Sequence, residues 1–319
     1  MVMGTNISTG QSVSRAYWKR KMKYRKLGRS GLQVSEVSFG CMSLAAGEAS
    51  SVRLLQQAFD KGVSFFDTAD LYDKGENEKL VGQAFKEMRD QVVIATKGGN
   101  QWRPDGSGWD WNPAKRYLLG AVEKSLQRLQ TDYIDLYQLH GGTLDDPIDE
   151  VIDAFEQLKQ QGKIRHYGIS SIRPNVIREY VQRAGITSVM MQYSLLDRRP
   201  EESCLDLLQE HHIGVLARGS LAQGLLAGKA PKAYLNYTSA EVEKAAGVVA
   251  EKAGGAHTAT SIAVRFVLQN PAVTSAVLGI RTPAQLNAAL QAAAAPPLPA
   301  DVLQALQQAV PATVYEQHR

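Results

Sequence analysis

From about residue 34 onward, short apolar runs alternate with longer stretches whose apolar residues recur every three to four positions. Runs of the first kind predict strands, and stretches of the second kind predict amphipathic helices. Val34–Phe39 reads as a strand and Ser50–Lys61 as a helix with Val52, Leu55, Ala58 and Phe59 on one face. Val63–Ala69 is a second strand, followed by a helix over Glu76–Met88 that aligns Leu80, Val81, Ala84 and Phe85. The third pair is Gln91–Lys97 and Pro113–Leu129, the helix opening with Asn112 as N-cap and Pro113 in the first turn. Ile134–His140 and Ile148–Gln161 form the fourth pair, closed by Gly162 just past the helix end. Ile164–Ser170 with Arg173–Arg183, and Val189–Tyr193 with Ser203–His211, continue the series. Ile213–Gly219 is the seventh strand, trailed by helical stretches at Ser239–Lys252 and Thr258–Leu268. Val273–Ile280 and Pro283–Ala293 are the last pair.

Strands of this length, each followed by a helix, imply parallel pairing, because every return needs a crossover. Eight such units close on themselves more naturally than they spread. The expected fold is therefore α/β, a single (β/α)8 TIM barrel. No Gly-x-Gly-x-x-Gly follows the first strand, which removes the usual dinucleotide signature of an open doubly wound sheet. No linker interrupts residues 30–295, so the expected organisation is a leader over 1–22, one barrel domain over 23–310 and a tail over 311–319.

Composition changes this picture little, but charge does. A hydrophobic content of 44% with 21% charged residues is ordinary for a globular protein. No run of 18 apolar residues occurs, so no membrane partner is expected. The formal charge is +4, yet residues 1–29 hold Arg15, Lys19, Arg20, Lys21, Lys23, Arg25, Lys26 and Arg29 and no acid. With those set aside, 28 basic residues face 32 acidic ones, and the body carries about −4. The leader reads as a disordered basic extension rather than a nucleic-acid or anionic-lipid arm, and it lacks the apolar core of a secretory signal. Cys41 and Cys204 are too far apart for a C-x-x-C pattern, which fits a reducing, cytoplasmic compartment and two buried thiols.

Barrels of this kind place their chemistry at the C-terminal strand ends. Strand two ends in Asp67-Thr68-Ala69, with Tyr72 in the following loop; strand three ends in Ala95-Thr96-Lys97 and strand four in Leu139-His140. Neighbouring strands lie ~4.8 Å apart, so these residues are expected to converge on one rim. An isolated phenol titrates near ~10, too high for an efficient acid at neutral pH. An ammonium beside it is expected to lower that value, and a carboxylate paired with the ammonium keeps it in place and charged. Histidine can hydrogen-bond the oxygen that receives the proton. The set suits hydride addition to C=O, and with one imidazole and a committed carboxylate it does not suit a metal.

In these segments the chain resembles the aldo-keto reductase superfamily, from about Tyr24 to Ala293. Asp67-Thr68-Ala69-Asp70-Leu71-Tyr72 looks like that family's D-T-A-x-x-Y, followed by Gly75-x-x-Glu78-x-x-Val81-Gly82. Ala95-Thr96-Lys97 and Leu139-His140 match its lysine and histidine stretches. Arg25 to Ser35 resembles an N-terminal β-hairpin that closes the barrel bottom. The resemblance implies a catalytic tetrad of Asp67, Tyr72, Lys97 and His140, with NADPH/NADP+ as cofactor. It also implies cofactor contacts from Gly40, Cys41, Met42 and Asp67, and from Ser170, Ser171 and Gln192 around the carboxamide. Ser171 stands where the family has asparagine and can equally cap the next helix. Further contacts are implied for Gly219, Ser220, Leu221, Gly224, Leu225 and Lys229, and for Gly279, Arg281 and Gln285 at a 2′-phosphate.

Two departures from the family pattern stand out. Arg218 occupies the position of the aromatic residue that usually stacks on the nicotinamide, so its guanidinium either lies on the ring, favouring the reduced cofactor, or reaches the pyrophosphate. Ala288 and Ala289 replace residues that often hold adenine. The long loop after strand three carries Trp102, Trp109 and Trp111, which either line a pocket for an apolar carbonyl, Trp102 being the candidate, or pack the loop down. The leading reading is an enzyme that reduces small-molecule aldehydes and ketones. The alternatives are a cofactor-binding, redox-sensing subunit of a partner protein and a lyase using Lys97 as a Schiff-base amine.

Overall fold

The computed structural model describes residues 15–45 and 49–319. Helix α1 (Arg15–Lys21) leads into an antiparallel hairpin of β1 (Tyr24–Lys26) and β2 (Gln33–Ser35). The chain continues through β3 (Val37–Gly40), α2 (Ala49–Asp60), β4 (Phe65–Asp67), α3 (Glu76–Phe85) and β5 (Val93–Gly98). A second hairpin of β6 (Asn100–Trp102) and β7 (Trp109–Trp111) precedes α4 (Lys115–Leu129). Then come β8 (Ile134–Leu139), α5 (Ile148–Gln160), β9 (Ile164–Ser170), α6 (Pro174–Arg183), β10 (Ser188–Gln192) and α7 (Cys204–Glu210). The last elements are β11 (Gly214–Arg218), α8 (Ser239–Lys252), α9 (Ala259–Leu268), β12 (Val273–Gly279), α10 (Pro283–Ala294) and α11 (Ala300–Ala309). Strands β3, β4, β5, β8, β9, β10, β11 and β12 pair in parallel and close into the eight-stranded barrel that the alternation predicts. Among the described residues no helix is long and apolar enough to cross a membrane.

The barrel interior explains where the chemistry falls. Phe65, Ala95, Leu136, Met190, Leu216 and Val277, one from each of six strands, pack together with Leu27 and Val34 of the N-terminal hairpin, which thereby plugs the bottom. Side chains alternate across a strand, so the next inward position is two residues on. Those positions are Asp67, Lys97, Gln138, Gln192, Arg218 and Gly279. One step above an apolar layer, five of these six strands deliver a polar side chain to the mouth, and β12 brings a glycine. The outward residues, Phe66 and Ile94 among them, pack against the helices instead, with Phe66 and Phe85 ring centroids 4.3 Å apart.

Four local expectations are corrected. The leader is ordered earlier than residue 23, since Arg15–Lys21 is helical and Trp18 and Met22, four residues apart, are buried; residues 1–14 lie outside the described residues. The run Val34–Phe39 is not one strand. Glu36 breaks it, its carboxylate held by Arg25 (2.8 Å) and Arg265 (2.9 Å), so Val34 and Ser35 belong to the hairpin and Val37 onward to the barrel. Helix α4 begins two residues later than expected, because Asn112 Oδ1 accepts from the Ala114 N–H and forms a turn ahead of the helix rather than its cap. Helix α3 ends at Phe85, and a tighter 3-10 stretch takes over from Lys86. The end of α5 is as expected, Gly162 taking a left-handed φ of 73° just beyond the cap.

Candidate active site

Lys97 is fully buried, and its ammonium has three hydrogens to place. They go to Asp67 Oδ2 at 2.7 Å, the Thr68 carbonyl at 2.8 Å and the Tyr72 hydroxyl oxygen at 3.2 Å. The structure thus brings Asp67, Lys97 and Tyr72 into one cluster. His140 stands beside it, its ring edge-on to Tyr72 with centroids 5.9 Å apart, and its backbone N–H held by the Gly98 carbonyl at 2.8 Å. Gln138, the inward residue of β8 below His140, donates to the other Asp67 oxygen at 3.4 Å. Sequence reasoning passed over it, though a glutamine in a strand buried at all six positions is itself a signal.

Burial and charge oppose each other throughout this cluster. Burial disfavours the Lys97 ammonium, but Asp67 and Tyr72 together outweigh it and hold its pKa above the ordinary value. For Tyr72 the balance runs against the expectation of a lowered pKa. Burial raises it more than Lys97 and Arg218 lower it, with Asp67 adding to the rise, so the phenol stays above its ordinary range. The Tyr72 hydroxyl therefore stays protonated at neutral pH. Burial, reinforced by the charges of Lys97 and Arg218, depresses His140 to about 3, so its imidazole is neutral.

Backbone geometry aims Tyr72. It opens a turn in which Asp73 (φ 47°), Lys74 (φ 53°) and Gly75 (φ 90°) all take left-handed conformations, at a cost of roughly 1–2 kcal/mol for each non-glycine residue. The β6–β7 hairpin holds this turn down. Trp102 Nε1 donates to the Leu71 carbonyl at 3.3 Å, and the Lys74 ammonium lies 5.3 Å from the Trp102 ring centre. Trp111 latches the same hairpin to the opposite loop through Asp146 at 2.8 Å, while Trp109 stays exposed. Two of the three tryptophans therefore pack the loop, and Trp102 does so next to the Tyr72 turn.

The remaining candidate residues ring the same mouth. Gly40 pairs with Asp67 on one side and Gly279 on the other, leaving a stretch of bare backbone; Cys41 beyond it is buried and Met42 exposed. Ser170 ends β9, and the Ser171 hydroxyl accepts from the Arg173 N–H at 3.2 Å, which is the local turn that precedes α6. Gln192 accepts from Arg218 at 3.1 Å and donates to Tyr234 at 3.0 Å. The Arg218 charge reaches Asp67, Tyr72 and His140, which puts the guanidinium on the same side of the mouth as these residues. Next to it Gly219, Ser220 and Leu221 lead into a 3-10 stretch containing Gly224 and Leu225, and Lys229 lays its methylenes against Gly224. Ser220 Oγ is buried without a hydrogen-bond partner in the protein, a cost of about 1–3 kcal/mol that a ligand acceptor or donor would offset. Arg281 is exposed just ahead of α10, where Gln285 accepts from the Arg281 N–H and Thr282 caps the helix. A bare glycine edge, an unpartnered buried hydroxyl and a cation at a helix N-terminus fit an extended phosphate-bearing ligand such as a nicotinamide dinucleotide.

Comparison with known proteins agrees. The family model described as aldo/keto reductase family matches residues 36–311. The uncharacterized oxidoreductase YqkF of Bacillus subtilis (strain 168) is 48% identical over 307 residues, covering 93% of this chain and 100% of that protein. The NADH-specific methylglyoxal reductase of Escherichia coli (strain K12) is 32% identical, over 67% of this chain and 72% of its own. Among solved structures, the holo form of aldo-keto reductase AKR11C1 from Bacillus halodurans superposes with a TM-score of 0.88 at 48% identity, covering 93% of this chain and 99% of that one. Fold, family model and relatives coincide over nearly the whole chain: it belongs to the aldo/keto reductase family, and is a nicotinamide-dependent oxidoreductase acting on carbonyl groups.

Proposed function

We propose that this enzyme reduces aldehydes and ketones to alcohols with NADPH, and that Tyr72 gives the proton to the carbonyl oxygen. One observation carries the reading: all three hydrogens of the Lys97 ammonium are placed, the third on the Tyr72 oxygen. Because that oxygen accepts from Lys97, the phenol's own hydrogen is left to donate to a substrate. As the proton leaves, the ammonium stabilises the growing phenolate, and Asp67 keeps the ammonium from turning away. Neutral His140 has one N–H to offer the same carbonyl oxygen, which orients the substrate and polarises the bond. When bound beside these residues, the nicotinamide cofactor would supply the hydride for the carbonyl carbon.

Ser170, Ser171 and Gln192 would hold the carboxamide, with Arg218 beside the ring and Gly40, Cys41, Met42 and Asp67 along one edge. Ser220, Leu221, Gly224, Leu225 and Lys229, turned in by Gly219, would hold the pyrophosphate, and Gly279, Arg281 and Gln285 the 2′-phosphate. Large exposed apolar side chains support an apolar carbonyl as substrate. Met42, Trp109, Leu144, Ile172 and Leu235 all stand on segments that follow barrel strands, and Trp102 lies against the turn that carries Tyr72. Two free, buried cysteines fit a cytoplasmic setting.

A relative named as NADH-specific means that membership alone does not choose between cofactors. Arg281 at the N-terminus of α10 favours the extra phosphate of NADPH. Titration by quenching of tryptophan fluorescence is expected to give much tighter binding of NADPH than of NADH. Arg281→Ala should weaken NADPH by roughly 10- to 100-fold, the worth of one charge-assisted hydrogen bond, and leave NADH almost untouched. Equal affinity for both cofactors in the unmodified protein would overturn the NADPH assignment.

A further inference from the structure

Asp70 stands three residues past Asp67, its backbone N–H donating to the Lys97 carbonyl at 3.2 Å. Its carboxyl group is buried, and Oδ1 has no hydrogen-bond partner in the protein. The Tyr137 hydroxyl nearby is buried and unpartnered as well. Gly98 makes room for both: a Cβ there would stand 2.0 Å from the Tyr137 hydroxyl and 3.4 Å from Asp70 Oδ2. Gly98 follows Lys97 directly, and its carbonyl holds the His140 N–H. An acidic side chain therefore sits against the backbone that carries two members of the tetrad.

The charged and titratable groups facing Asp70 are Glu78 and Arg128 from α3 and α4, Lys97 from β5, Tyr117 from α4 and Tyr137 from β8. None of the cations is left to pair with it. Arg128 is bound to Glu78 at 2.6 Å, and Lys97 is spent on Asp67, Thr68 and Tyr72. Tyr117 donates to the Asn100 carbonyl at 3.1 Å, and its neutral hydroxyl also lies within hydrogen-bonding reach of the Asp70 carboxyl, which leaves that group without a cation. A buried carboxylate without a counter-ion is disfavoured against its neutral acid.

We propose that Asp70 is a positioning residue for the reduction, held as a neutral acid while the enzyme works, and that its ionisation turns Lys97 and Tyr72 into a weaker proton-donating pair. Burial first, and the Glu78 carboxylate second, push Asp70 up to about 8, while Arg128, the Leu71 N–H and Lys97 pull it down. Below that pH the side chain is neutral. Above it, a second negative charge faces the Lys97 ammonium and raises the pKa of the phenol that Lys97 serves, so Tyr72 releases its proton less readily.

The kinetic arm rests on the reductase reading; the spectroscopic arm does not. Infrared difference spectra of the whole protein, without substrate or nicotinamide, are expected to show the carbonyl stretch of a buried protonated carboxyl group that disappears as pH rises through about 8. Asp70→Asn, which mimics the neutral acid, should lack that band. In the reduction of 4-nitrobenzaldehyde at saturating NADPH, the unmodified enzyme should lose kcat several-fold across the same interval, and Asp70→Asn should lose the inflexion while KM stays put. Absence of the band in the unmodified protein, or an inflexion that survives in Asp70→Asn, would overturn the proposal. Should Asp70→Asn fail to fold, the unmodified protein decides: the infrared band and kcat must fall over the same pH interval, and a kcat that stays level while the band disappears would overturn the proposal. A titrating band in a protein that reduces no carbonyl would count against the reductase reading and against a positioning role in reduction, and would leave only the neutral-acid state of Asp70 standing.

Discussion

Replacing Lys97 by methionine is expected to lower carbonyl reduction by about 10²- to 10⁴-fold, the range typical of a lost acid–base contribution. The residue is fully buried and holds three acceptors, two of which belong to the proposed machinery. Methionine matches much of its volume but leaves Asp67 without a cation in a buried position, which on general grounds costs ~3–5 kcal/mol of stability. Pairing the change with Asp67→Asn removes the stranded carboxylate. The double variant should recover most of the thermal stability and none of the activity. Loss of activity that returned together with stability would mean that Lys97 serves the fold and not the reaction.

Tyr72→Phe removes one oxygen and nothing else. Reduction is expected to fall by about 10²- to 10⁴-fold through kcat, with nicotinamide affinity and melting temperature close to those of the unmodified enzyme. The pH dependence carries a further signature. Since burial depresses His140 to about 3, no histidine limb should appear in the profile, although a free imidazole titrates near ~6.5. Burial also holds Tyr72 above its ordinary range, so the donor itself stays protonated throughout neutral pH, and reduction is not limited there by loss of its proton. Near-normal kcat in Tyr72→Phe would transfer the proton-donating role to another group.

The eight strand–helix units are legible in the sequence because each strand is buried on both faces and each helix on one. Such patterns survive whatever the loops do. The proposed tetrad is legible as a cluster for a related reason: a lysine closing an apolar strand has no cheap structural explanation, and the carboxylate, phenol and imidazole lie at neighbouring strand ends. The rest depends on contacts between segments distant in the chain. Gln138 reaches Asp67 across 71 residues, and Gln192 reaches Tyr234 across 42. The left-handed run at Asp73 and Lys74 goes against the local preferences of both residues, and Trp102 in the neighbouring hairpin holds it from a distant segment. The direction of the Tyr72 shift could not be read either, because spacing reveals the neighbouring ammonium but not how deeply both groups are buried. In the leader, Trp18 and Met22 do carry a signal, four residues apart in an otherwise basic stretch, and their burial explains why the segment just ahead of the barrel packs as a helix.

The most direct test of the Lys97–Tyr72 pair follows a carbonyl through one reaction mixture. Unmodified enzyme with NADPH and 4-nitrobenzaldehyde should form the alcohol and oxidised cofactor one for one, and borohydride added during turnover should leave Lys97 unmodified, since its amine acts only as a charge. Aldehyde trapped covalently on Lys97, with no NADPH consumed, would contradict the account, because the amine would then be a nucleophile and Tyr72 would have no alkoxide to protonate.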